Sequence, residues 1–95
     1  MKIKIQTEKG EKEIDLKMKG RHAMAIWKKM YELDDAVAEN NPKKVLEYKE
    51  YLDSIACEIS GFTLEELYAL DIEEKQKITA YIQEKVKSEI NFLKP

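Results

Sequence analysis

The chain has 95 residues, 43% hydrophobic and 38% charged. That composition fits one small globular domain of about two layers and excludes a deep catalytic cleft. The formal net charge is −2, Lys and Glu are interspersed with no block of one sign, and Arg21 is the sole arginine, which argues against a nucleic-acid or anionic-membrane surface.

Residues 1–18 read as a β-hairpin. Met1, Ile3 and Ile5 alternate with polar residues, as do Ile14, Leu16 and Met18. A two-residue loop at Lys9-Gly10 supplies the positive φ that glycine tolerates. It sets Glu8 opposite Glu11, Ile5 opposite Ile14, Ile3 opposite Leu16 and Met1 opposite Met18. Every apolar residue then lies on one face, which must cover helices, because a lone hairpin is marginal in water.

The spacing predicts a first helix over 21–39, with a stripe of Ala23, Ile26, Trp27, Met30, Leu33 and Val37. Asn40-Asn41-Pro42 breaks it, with Asn41 placed as N-cap of the next helix and Pro42 as its first residue. That helix covers 42–60, and Gly61 is placed to end it in a left-handed cap. Thr63 and Glu66 then form a capping box, with Phe62 and Leu67 at the staple positions, opening a short helix over 64–69. Asp71 and Glu74 repeat the pattern before a last helix over 72–92. The expected fold is therefore α+β: a two-stranded antiparallel hairpin packed on a mostly helical bundle, within a single domain over 1–95.

Candidate chemistry is sparse. His22 is the only histidine and has no nucleophile or metal-ligand companion in sequence. Cys57 has no cationic neighbour to lower its pKa. Of the acidic pairs Asp34-Asp35, Glu65-Glu66 and Glu73-Glu74, the last two sit in first helical turns, where the helix dipole favours them. Asp34 falls near Trp27 within the apolar stripe, where it pairs with a lysine or faces a partner. No phosphate-binding loop, zinc spacing or nucleophile elbow is present. These features point away from an enzyme and imply no cofactor and no metal. No apolar run has the length of a membrane span, the N-terminus lacks the apolar core of a signal peptide, and the lone cysteine forms no internal disulfide. A reducing cytoplasm is the expected location.

A strand pair with a charged turn, then helices, then the Gly61–Glu74 segment GFTLEELYALDIEE: in this order of parts the chain resembles the tail assembly chaperones of tailed phages and prophages. Those small proteins often open with a hairpin and carry a similar Thr-x-Glu-Glu-Leu stretch before the last helix. The resemblance implies no catalytic residue. It implies a partner, the tape measure protein, whose apolar helical surface is kept soluble in the host cytoplasm until tube subunits polymerise around it. It also implies that a frameshift-extended form recruits the tail tube protein. The alternative is a small structural tail or connector protein that stays in the virion. A nucleic-acid-binding regulator would need a basic recognition helix, and each long helix mixes Lys with Glu or Asp.

Apolar residues exceed one stripe per helix at Met24 and Tyr31, at Leu46 and Cys57, and at Ile90, Phe92 and Leu93. Tyr51 and Tyr81 lie at stripe edges, where an amphipathic ring suits an interface. The candidate partner-binding residues are thus Met24, Tyr31, Leu46, Tyr51, Tyr81, Ile90 and Phe92. A second copy of the chain or a client would cover them.

Overall fold

The computed structural model describes the backbone of residues 1–38 and 41–93 and the side chains of residues 1–32 and 41–88. Strands β1 (Lys2–Thr7) and β2 (Gly10–Asp15) form an antiparallel two-stranded sheet. Four helices follow: α1 (Gly20–Ala38), α2 (Pro42–Ser60), α3 (Leu64–Tyr68) and α4 (Ile72–Leu93). The α+β class expected from the sequence is the observed one.

The hairpin buries the expected face but in a different register. Ile3 pairs with Ile14, Ile5 with Lys12 and Thr7 with Gly10, and Leu16 N–H donates to Met1 O at 2.8 Å. The pairing is two residues away from the one the apolar pattern suggested. A slip of two preserves the face of every side chain, so Ile5, Ile14 and Leu16 are still buried while Lys4 and Asp15 are exposed. Charge decides between the two registers. The expected one sets Lys2 opposite Lys17 and Glu8 opposite Glu11. The observed one sets Lys2 opposite Asp15 and Lys4 opposite Glu13, and directly opposed like charges destabilise a sheet. Thr7 fixes the turn at Glu8-Lys9: its Oγ1 accepts from Lys9 N–H at 3.1 Å and donates to Gly10 O at 2.7 Å. Gly10 takes φ 112°, just after the turn. Lys12, on the core face beside Ile5, lays its stem toward the Phe62 ring and places Nζ 4.9 Å from the centroid. The ammonium remains in water.

The helix ends follow local chemistry. Asn41 Oδ1 accepts from Lys43 N–H at 3.2 Å and from Lys44 N–H at 3.4 Å, with Pro42 in the first turn. Gly61, at φ 81°, closes α2 with its N–H on Cys57 O. The Thr63–Glu66 box is complete, with Glu66 N–H donating to Thr63 Oγ1 at 3.1 Å and Thr63 N–H to Glu66 Oε1 at 3.0 Å. At α4 the expected Asp71 side-chain cap is not made: only its backbone carbonyl takes part, accepting from Glu74 and Lys75 N–H as the first helical turn closes.

The core joins hairpin and helices through Ile5, Leu16, Ile26, Leu67, Ile78 and Ile82, each at most 1% exposed. Burying such a side chain contributes about 1.5–3 kcal/mol. α4 also seals the outer edge of β1. Glu74 Oε2 accepts from Gln6 N–H at 3.1 Å, and Lys77 Nζ donates to Lys4 O at 3.2 Å. Backbone groups left open on an edge strand are thereby satisfied. Tyr81, expected at a stripe edge and as a partner contact, is instead core. It is 6% exposed, and its hydroxyl donates to Leu16 O at 3.1 Å. A buried tyrosine hydroxyl needs a partner, and the end of β2 supplies one.

Candidate interaction surface

His22 is buried at the start of α1. Nδ1 accepts from Lys19 N–H at 3.1 Å, and Nε2 stands 3.0 Å from Glu58 Oε1. A nitrogen that accepts carries no proton, so the ring is the Nε2–H tautomer and donates to Glu58. His22 thus does at α1 what Glu66 does at α3, returning a side-chain acceptor to the N-cap amide. Its hydrogen bond holds the Glu58 carboxyl below its usual range, and Arg21 at 3.7 Å adds to this. A carboxylate–histidine pair suggests general-base chemistry, but here both ring nitrogens are engaged and none faces a nucleophile.

Cys57 is half-buried. Burial pushes its thiol up, and the charges of Asp53 and Glu66 push it further, so the reactive thiolate is disfavoured. Asp53, buried on α2, accepts from Tyr68 Oη at 2.9 Å and pairs with Lys75 Nζ at 3.0 Å, tying α2, α3 and α4 together. The hydrogen bond to Asp53 raises the Tyr68 hydroxyl, with burial and the Asp53 charge adding to it. The acidic pairs are divided in use. Glu66 caps α3 and Glu74 binds Lys77, while Glu65 and Glu73 face solvent. Among the described residues no group of three His, Cys, Asp or Glu is arranged to hold a metal, and no helix is long and apolar enough to cross a membrane.

Concave apolar surface lies between α1, α2 and α4. A cleft of about 280 Å³ is lined by Ile26, Met30, Tyr48, Leu52, Ile82 and Val86, with Gln83 and Lys87 completing the wall. Burial there pushes the Tyr48 hydroxyl up. The cleft's six apolar or aromatic side chains suit inserted apolar groups.

The sequence-predicted partner residues separate. Met24, Tyr31 and Leu46 are 53%, 70% and 57% exposed. Tyr51 is half-buried beneath Lys29, whose Nζ lies 5.5 Å from the ring centroid. Tyr81 leaves the set because it is buried. The side chains of Ile90 and Phe92, and of Asp34, lie outside the described residues. Met24 and Tyr31 share one side of α1 with Trp27, which meets Tyr31 edge to face at 6.5 Å. Leu46 lies on another flank, beside Asp53, Tyr68 and Lys75.

Four exposed apolar residues escaped the sequence reading: Met1, expected on the covered face of the hairpin, and Leu64, Tyr68 and Ile72. The signal was available in α3. Leu64 and Tyr68, four residues apart on the five-residue α3, sit together on its exposed side while Leu67 is buried. Charge is also less evenly spread than residue-by-residue interspersion suggests. From Leu16 to Tyr31 every Lys, Arg, Asp or Glu is a base, and from Glu50 to Glu74 every one is an acid. Counting by segment would have found this.

No protein-family model, curated protein or solved structure matches this chain.

Proposed function

We propose that this protein binds an apolar helical client without turnover, as a tail assembly chaperone that keeps the tape measure protein of a phage or prophage soluble before the tube polymerises. The observation that carries the reading is the apolar cleft between α1, α2 and α4, whose wall is Ile26, Met30, Tyr48, Leu52, Ile82 and Val86. Apolar side chains projecting from one face of a client helix would fill such a cleft, as in other helix-in-groove complexes. The order of hairpin, helices and the Gly61–Glu74 segment supports the same reading. A client with a long apolar surface aggregates unless it is covered, and a chaperone with a charged exterior keeps the pair in solution.

Co-expression with the cognate tape measure protein tests it. The client should become soluble and co-purify. Gln83→Trp, at an exposed position on the cleft wall, should block the cleft and abolish co-purification while the circular dichroism spectrum stays unchanged. A client equally insoluble with and without this protein refutes the proposal. Stoichiometric copies in purified virions would favour a structural tail or connector protein instead.

A further inference from the structure

The fold holds two exposed faces that complement each other and keeps them apart. On α1, Arg21, Met24, Lys28 and Tyr31 recur at helical spacing on the side opposite Ile26 and Met30, so one stripe alternates cation and apolar side chain. Lys28 has no ion pair among the described residues, and Arg21 reaches only Glu58, at 3.7 Å. The second face runs from α3 into α4. Leu64, Tyr68 and Ile72 are 48%, 53% and 70% exposed, and Glu65, Asp71 and Glu73 stand among them without an ion pair among the described residues.

α2 separates these faces. Its Tyr51 and Glu58 point at α1, meeting Lys29 and His22. Its Asp53 points at α3, meeting Tyr68. Residues 51 and 53 of a helix project about 160° apart, since each residue turns by about 100°. The basic and acidic faces therefore lie on opposite flanks and cannot neutralise each other within one molecule.

We propose that this protein associates head to tail with copies of itself, the α1 face of one molecule docking on the α3–α4 face of the next. Each face offers apolar side chains beside charge, of opposite sign on the two: Arg21 and Lys28 on α1, where Glu32 is held by Lys29 at 3.3 Å, and Glu65, Asp71 and Glu73 on α3–α4, where Lys75 is held by Asp53 at 3.0 Å. Pairing either face with its own copy would oppose like charges, which disfavours a two-fold dimer. Because the contact is heterologous, each added copy leaves one face of each kind free. Growth then continues to a closed ring or an open chain.

Sedimentation velocity on the full chain tests this, with no client present, so the outcome is independent of the chaperone reading. Association should rise with protein concentration. It should weaken as salt goes from about 0.1 M to about 1 M, where the Debye length falls from about 10 Å to about 3 Å. Lys28→Glu and Glu65→Lys, both at exposed positions, should each raise the apparent dissociation constant by roughly tenfold or more. An equimolar mixture of the two variants should associate again, because the intact α1 face of one meets the intact α3–α4 face of the other. If Glu65→Lys disturbs α3, Ile72→Lys serves in its place. The proposal is overturned by a wild-type chain that stays monomeric at every concentration. It is equally overturned by association that both reversals leave unchanged, or by a mixture that fails to associate.

Discussion

Replacing Phe62 with Ala empties the corner where the hairpin turn, the end of α2 and the start of α3 meet. Phe62 is 4% exposed and belongs to the same buried cluster as Ile5, Ile59 and Leu67. A Phe→Ala change at such a site costs about 3–5 kcal/mol, the lost transfer free energy plus the cavity left behind. The Lys12 ammonium, 4.9 Å from the ring, contributes about 0.5 kcal/mol more at this exposed edge. A domain of 95 residues has a total stability on the order of 5–14 kcal/mol, so the loss is about a quarter of it or more. The melting temperature should drop by roughly 15 °C or more. Urea unfolding followed by circular dichroism measures the loss, and a Lys12→Ala, Phe62→Ala double-mutant cycle isolates the ring–ammonium coupling. A loss under about 1 kcal/mol with an unchanged m-value would show that the ring does not fill the core, and the argument for this corner would fail.

Tyr81→Phe keeps the ring and deletes the buried hydrogen bond to Leu16 O, and should cost about 1 kcal/mol in the same urea experiment; no loss would mean that the hydroxyl is no anchor for β2. In NMR spectra, Cα-proton contacts should link Lys4 to Glu13 and Gln6 to Glu11, whereas a Lys4–Asp15 contact would restore the register suggested by the apolar pattern alone. Glu58, Glu66 and Glu74 are held below their usual carboxylate values, chiefly by hydrogen bonds from His22, Thr63 and Lys77 respectively. A depressed folded-state value stabilises the protein above the unfolded-state value and loses that effect as pH falls through the folded one. The melting temperature should therefore decline from about pH 5 downward, and Glu66→Ala should flatten the decline; an acid limb with the same slope in the variant would remove Glu66 from the account.

Much of the candidate surface was legible from single positions. Met24, Tyr31 and Leu46 exceed the stripe that one neighbouring helix can cover, and all three are exposed. Tyr81 was misjudged because a stripe edge in sequence says nothing about which carbonyl lies above it. Leu16 O lies 3.1 Å from its hydroxyl, a contact across the fold. The pairing of Asp53 with Tyr68 and Lys75, and of His22 with Glu58, likewise joins residues far apart along the chain. No local pattern marks such pairs.

What the sequence determined by itself was local. Asn41 with Pro42, Thr63 with Glu66, and Gly61 each act on backbone within a turn or so of themselves, and all three structures formed where the residues called for them. The period-two pattern of the hairpin determined its buried face for the same reason, since alternation is a property of one strand. The register needed more. Two apolar pairings that differ by two residues bury the same face, and what separates them is the charge on the opposite strand and the Thr7 hydroxyl in the turn. Only the tertiary structure decided that α1 and α3 occupy opposite flanks of α2. That arrangement depends on how Tyr51, Asp53 and Glu58 are oriented when the helices pack, and it is what sets a basic face and an acidic face on different sides of one small protein.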